Sequence, residues 1–202
     1  MEFMNVKKHV VVIGGGEAWN TKKEYLTYLH NYTFTQEKFD KMVIVRWKQN
    51  LQKDLGDRFC VITPHMPNPR DAKYTEWDIW FSKILPYITD DAVFIGHSLG
   101  ANFLAKYLAE NTLTISLAQL HLVAGCFGCA GGFTLSQNLQ KVEDVCKEIY
   151  IYHSHDDNCV DFADAQKYKK SLPKAELITF EDRGHFRQTH FPEIVDNIKK
   201  SV

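Results

Sequence analysis

A chain of 202 residues with 45% hydrophobic and 24% charged residues can bury a core of its own. That composition excludes disorder, collagen-like structure and a disulfide-stapled mini-protein. Its 24 Lys and Arg balance 25 Asp and Glu, for a net charge of -1, so the cationic excess behind phosphate binding is missing and nucleic acid is not an expected partner.

Residues 1–202 read as one α/β domain, because short apolar runs alternate with stretches of helical period. The pattern predicts a mostly parallel sheet of about six strands with helices on both faces. The first strand is expected over 9–13, followed by an irregular, aromatic-rich stretch from Gly14 to about Phe34. A helix is expected over about 36–55 and a strand over 59–63. Trp77, Trp80, Phe81, Ile84, Leu85 and Ile88 repeat at i, i+3, i+4, i+7 and predict an amphipathic helix. A strand over 92–95 leads into a second such helix through Leu99, Phe103, Leu104, Tyr107 and Leu108. A strand over 120–124 is followed by a glycine-rich loop over 125–137. The remaining strands are expected over 149–153 and 177–180, with helices over about 162–171 and 191–199. The loops after the strands should share the carboxyl edge of the sheet, where ligands bind in open α/β folds.

Lys7 and Lys8 precede the apolar run of Val10 to Ile13, but Gly14-Gly15-Gly16 ends it short of a signal-peptide core. No apolar run approaches the ~18 residues of a membrane span. A cytoplasmic protein with no membrane span is expected. The odd set of five cysteines at positions 60, 126, 129, 146 and 159 suits free thiols in a reducing compartment. Cys126-x-x-Cys129 has no second pair at zinc-finger spacing and lies among glycines. His153-x-His155-Asp156-Asp157 follows no metal-site spacing either, so no metal is expected. The triple glycine has Trp19 where a dinucleotide loop needs its third glycine, and no Gly-Lys-Ser/Thr follows, so no cofactor is expected.

The sharpest chemical signal is Gly96-His97-Ser98-Leu99-Gly100, a G-x-S-x-G between a predicted strand and a predicted helix. A serine on such a turn holds its hydroxyl clear of the sheet, and the helix N-terminus faces developing negative charge. Ser98 is therefore the candidate nucleophile. It needs a base, and in this arrangement the acid and then the histidine follow the serine. His121 and His153 fall inside predicted strands, and His155 precedes the acids. His185, in the loop Asp182-Arg183-Gly184-His185-Phe186, is the expected base, with His190 second. Asp156 and Asp157 follow the penultimate strand, and only one of two adjacent side chains can face the imidazole. Asp157 is preferred, since Asp-x-x-Val leading into a helix suits such a loop, while Asp156 would cap the turn. Asp161, Asp164 and Asp182 read as cap, helix-surface and turn residues. The oxyanion donors are expected from the amide of Leu99 and from the turn after the first strand. Gly16 is the choice there, with Gly15 and Glu17 as rivals.

On these residues the chain resembles the α/β-hydrolases. More narrowly, it resembles the small serine hydrolase family of YdeN-like and retinoblastoma-binding-protein-nine-like proteins. The resemblance runs from Val10-Val11-Val12-Ile13-Gly14-Gly15-Gly16 to the last helix. Its specific pieces are the elbow at Ser98, the Asp156-Asp157 loop, and Asp182-Arg183-Gly184-His185-Phe186 with Phe191-Pro192-Glu193. It implies an α/β-hydrolase fold with little or no cap domain and a Ser98, Asp157, His185 triad. Asn158 and Asp161 stand where the acid loop often has prolines, and the Gly14-Gly15-Gly16 turn lacks the His-Gly of many lipases.

The expected function is hydrolysis of small esters or amides through an acyl-Ser98 intermediate, of the carboxylesterase or amidase type. Acyl transfer to another acceptor, or a hydrolase-fold protein-interaction module, are the alternatives. Trp19, Phe127, Phe133 and Phe186 are candidates for an apolar substrate pocket.

Overall fold

A computed structural model of the chain describes residues 7–202. Six strands form one parallel sheet in the order β2-β1-β3-β4-β5-β6. They span β1 (Lys8–Ile13), β2 (Phe59–Ile62), β3 (Ala92–His97), β4 (Leu117–Val123), β5 (Cys146–Ser154) and β6 (Glu176–Phe180). The helices are α1 (Lys22–Asn31), α2 (Gln36–Asp40), α3 (Trp47–Leu55), α4 (Tyr74–Ile84), α5 (Leu99–Glu110), α6 (Gln140–Val145), α7 (Phe162–Ser171) and α8 (Pro192–Lys199).

Val10, Val11, Val12 and Ile13 are completely buried, as a central parallel strand covered on both faces requires. Val11 and Ile13 face one core with Trp77 and Phe81 of α4 and Phe103 of α5. Val10 and Val12 face the other with Trp47 and Leu51 of α3 and Ile194 and Ile198 of α8. The strand order places the site. From β1 the chain passes outward to β2, then returns across β1 to β3 and continues the other way through β6. The direction reverses between β1 and β3, and a crevice opens there at the carboxyl ends of the strands.

Two expectations change, and one helix is added. The stretch after β1 is not wholly irregular, because Thr21 and Glu24 form a capping box and start α1; Thr-x-x-Glu was its local signal. The helix expected over 36–55 divides into α2, a 3₁₀ turn over Lys41–Val43 and α3. Ile44 is extended, and Val43, Ile44 and Val45 are exposed, so no packing contact draws these β-branched residues into a helix. The short helix α6 had no clear periodic signal. Among the described residues no helix is long and apolar enough to cross a membrane.

Candidate active site

Ser98 occupies the turn from β3 to α5 with φ 59° and ψ -124°, a left-handed conformation that costs an L-residue on the order of 1–3 kcal/mol. Its amide donates to the Val123 carbonyl at 2.8 Å, which ties the turn to β4. The side chain does not cap its own helix, so the hydroxyl remains free for chemistry. Gly15, after β1, sits so close that an added Cβ would lie 3.0 Å from the Ser98 Cβ.

The loops after β5 and β6 converge on the same place. His185 Nδ1 lies 2.8 Å from Asp157 Oδ2, with the Asp157 side chain fully buried and that of His185 8% exposed. Asp157 Oδ1 accepts from the amides of Cys159 at 2.8 Å and Val160 at 3.1 Å. Burial pushes the Asp157 carboxyl up, but the His185 imidazole and these amides outweigh it and hold the group below the usual range. Asp156 points elsewhere. Its Oδ1 accepts from the Ser154 hydroxyl at 2.5 Å and from the Gly184 amide at 2.8 Å, bracing the turn that presents His185. Asp161 caps α7 through the Ala163 amide. His121 is buried against Tyr152 and Gln119, and burial pushes it down to about 3. His153 is buried against the Val160 carbonyl, and His190 pairs with Asp54 at the surface.

A cavity of about 630 Å³ holds Ser98, His185, Leu99, Gly15 and Gly16 on its walls. The Glu17 amide donates to the Pro69 carbonyl at 2.8 Å, which removes Glu17 as an oxyanion donor and leaves Gly15 and Gly16. The ligand-type atoms of Asp157, Cys159 and His185 lie within 4.8 Å of one another, but the Asp157–His185 bond already occupies two of the three.

The family model described as serine hydrolase matches residues 43–191. The chain belongs to the serine hydrolase family. The Serine hydrolase RBBP9 of Rattus norvegicus is 27% identical over 149 residues, 71% of this chain and 78% of that protein. The ydeN gene product of B. subtilis superposes with a TM-score of 0.70 at 19% identity, covering 96% of this chain and 98% of that one. A YdeN-like hydrolase of Pectobacterium atrosepticum gives 0.62 at 16% identity, covering 96% and 90%. The six-stranded parallel sheet is thus an α/β-hydrolase fold.

None of the four aromatic candidates, Trp19, Phe127, Phe133 and Phe186, lines the cavity that holds Ser98. Phe186 follows His185 with φ 50°, and that turn sends its ring into the core against Phe180 and Phe191 while the imidazole faces the cavity. Phe133 is fully buried against Trp77 and Tyr74, and Phe127 packs on Tyr168. Trp19 stacks on Tyr28 and lines a different hollow beside α1. The expectation of free thiols changes too. Cys126 and Cys129 form a disulfide, because the glycine-rich loop brings their Cα atoms to 6.6 Å, within bridging range. Cys60, Cys146 and Cys159 are free.

The charged side chains on the cavity wall are four cations and one acid, Glu17, an excess of positive charge that the sequence reading missed. Arg46, Lys48, Arg70 and Arg187 all line it. Lys48 Nζ lies 3.2 Å from His97 Nδ1, and His97 Nε2 lies 3.0 Å from the His185 carbonyl oxygen. An ammonium only donates, so His97 Nδ1 accepts and its Nε2–H donates, which links α3 to the His185 loop through a neutral imidazole. Burial first, then the Lys48 and His185 charges, hold His97 well below the usual histidine range. Burial and the neighbouring Arg46 and Arg187 push Lys48 down to about 8. In a carbon-13 NMR titration of methylated lysines, Lys48 is therefore expected to lose its charge near pH 8, against roughly 10.4 for ordinary lysines. An ordinary midpoint for Lys48 would place its ammonium in solvent.

Proposed function

We propose that the chain hydrolyses small carboxylic esters or amides through an acyl-Ser98 intermediate. The observation that carries this reading is the buried Asp157–His185 pair at 2.8 Å, opening onto the cavity that holds the Ser98 elbow. Ser98 Oγ attacks the substrate carbonyl carbon while His185 Nε2 takes the hydroxyl proton. Asp157 holds Nδ1–H and stabilises the imidazolium that forms. The carbonyl oxygen becomes an oxyanion held by the Leu99 amide and by that of Gly16 or Gly15, each donor lowering the barrier by about 3 kcal/mol. Collapse breaks the bond to the leaving group, which takes the proton from His185. A water then loses its proton to His185 and attacks the acyl carbon, releasing the acid and restoring Ser98.

Intact-mass labelling with a fluorophosphonate tests this. The reagent loses fluoride and is expected to add once to wild type, not at all to Ser98→Ala, and at least about 10³-fold more slowly to His185→Ala. An unlabelled but folded wild type would overturn the reading.

A further inference from the structure

The cavity wall carries more positive charge than hydrolysis of a neutral ester requires. Arg70 is engaged by Glu17 at 3.8 Å, and Glu17 also accepts from the Tyr28 hydroxyl. The other three cations have no such relief. Among the described residues no carboxylate lies within the 4.0 Å ion-pair range of Arg46, Lys48 or Arg187. They come from different segments. Arg46 and Lys48 flank Trp47 at the start of α3, and Arg187 follows two residues after His185. The tertiary fold brings them together at one end of the reacting centre, where the Trp47 amide donates to the Gln188 carbonyl at 2.9 Å and docks the two segments.

Like charges gathered at one cavity repel one another, Arg46 and Lys48 are half-buried while Arg187 is exposed, and among the described residues no carboxylate offsets the repulsion. The burial and crowding that push Lys48 down to about 8 and lower Arg46 report the same strain. Cations placed for solubility spread over a surface; these three line one cavity together with Ser98. Among the described residues, the side chains that share hydrogen bonds with them are His97, beside Lys48, and Cys159, whose sulfur lies 3.3 Å from Arg187 Nη2. Two guanidinium forks and an ammonium are the donors that recognise carboxylate or phosphate oxygens.

Resting on the hydrolase reading above, we propose that the substrate carries a carboxylate or phosphate group near its scissile ester or amide, held by Arg46, Lys48 and Arg187. The anion neutralises the cluster and sets the carbonyl against Ser98, so the cluster selects the substrate while the triad performs the chemistry.

The test uses three fluorophosphonates that differ only at the end of a short alkyl tail: carboxamide, carboxylate or phosphate. The neutral probe reports whether Ser98 is a working nucleophile; the ratio of charged to neutral labelling rates reports the cluster. Wild type is expected to react about tenfold or more faster with at least one charged probe, the scale of a charge-assisted hydrogen bond. The preferred probe tells carboxylate from phosphate. The double variant Arg46→Gln, Arg187→Gln should bring that ratio down severalfold. Raising salt from 0.1 to 1 M on wild type should do the same, since the Debye length falls from about 10 to 3 Å; this arm stands even if the variant does not fold. Labelling of Ser98 by the neutral probe with no advantage for either charged probe overturns this inference and leaves the hydrolase reading intact. No labelling by any probe overturns both.

Discussion

Asp157→Asn is expected to lower kcat by about 10⁴-fold while leaving the fold in place. The asparagine carbonyl can keep the amides of Cys159 and Val160, which Asp157 Oδ1 now accepts. Its amide NH₂ then faces His185 Nδ1 and demands an acceptor there. The imidazole moves its proton to Nε2, the atom that must take the Ser98 proton, and the base is lost. Asp156→Asn should cost no more than about tenfold, because a neutral carbonyl still accepts from the Ser154 hydroxyl and the Gly184 amide. Steady-state hydrolysis of an activated ester by both variants checks this, with circular dichroism to confirm folding. Equal losses in the two variants would sink the assignment of Asp157 over Asp156.

Gly100→Ala should damage stability and activity together. A Cβ at this position would lie 2.3 Å from the Ile13 carbonyl oxygen and 2.6 Å from that of Gly14. Both atoms are backbone, at and just past the end of β1, and neither can move without carrying the Gly15-Gly16 turn with it. The expected cost is at least about 3 kcal/mol, at the severe end of overpacking, read as a lower urea midpoint. Fluorophosphonate labelling should slow as well, since Gly15 and Gly16 are displaced from Ser98. Gly128→Ala is the control, with nothing within 4 Å of its added Cβ, and should stay within about 0.5 kcal/mol. A Gly100→Ala protein as stable as wild type would mean that strand and helix have room to part.

Much of the arrangement around Ser98 was legible because each part depends on its near neighbours in the chain. The elbow needs glycines where β3 and α5 nearly touch, and Gly96 and Gly100 stand there; an added Cβ at Gly96 would meet the Ala101 Cα at 2.4 Å. The acid and the histidine each sit in a loop just past a strand, so strand order along the chain brings them to one edge. His97 was passed over although it lies inside the motif. Its value comes from Lys48, 49 residues away, and no local pattern links the two.

The same distinction separates what the sequence by itself determined from what only the tertiary structure decided. Apolar period and β-branched runs act over a few residues, so they gave the alternation of strands and helices, the buried central strand and the chemistry-bearing loops. Strand order, by contrast, depends on which hydrophobic faces bury each other, and it sets the reversal between β1 and β3 that opens the cavity. Which side chains line that cavity follows from the same packing. Phe133 and Phe186 turned inward because burying a ring is more favourable than exposing it to a wet cleft. The cations at 46, 48 and 187 line the cavity because α3 and the segment after His185 dock there, with Arg187 exposed and Arg46 and Lys48 half-buried. Local sequence thus pointed to Ser98, Asp157 and His185 as candidates; the packing of distant segments decided which charges line the cavity beside them.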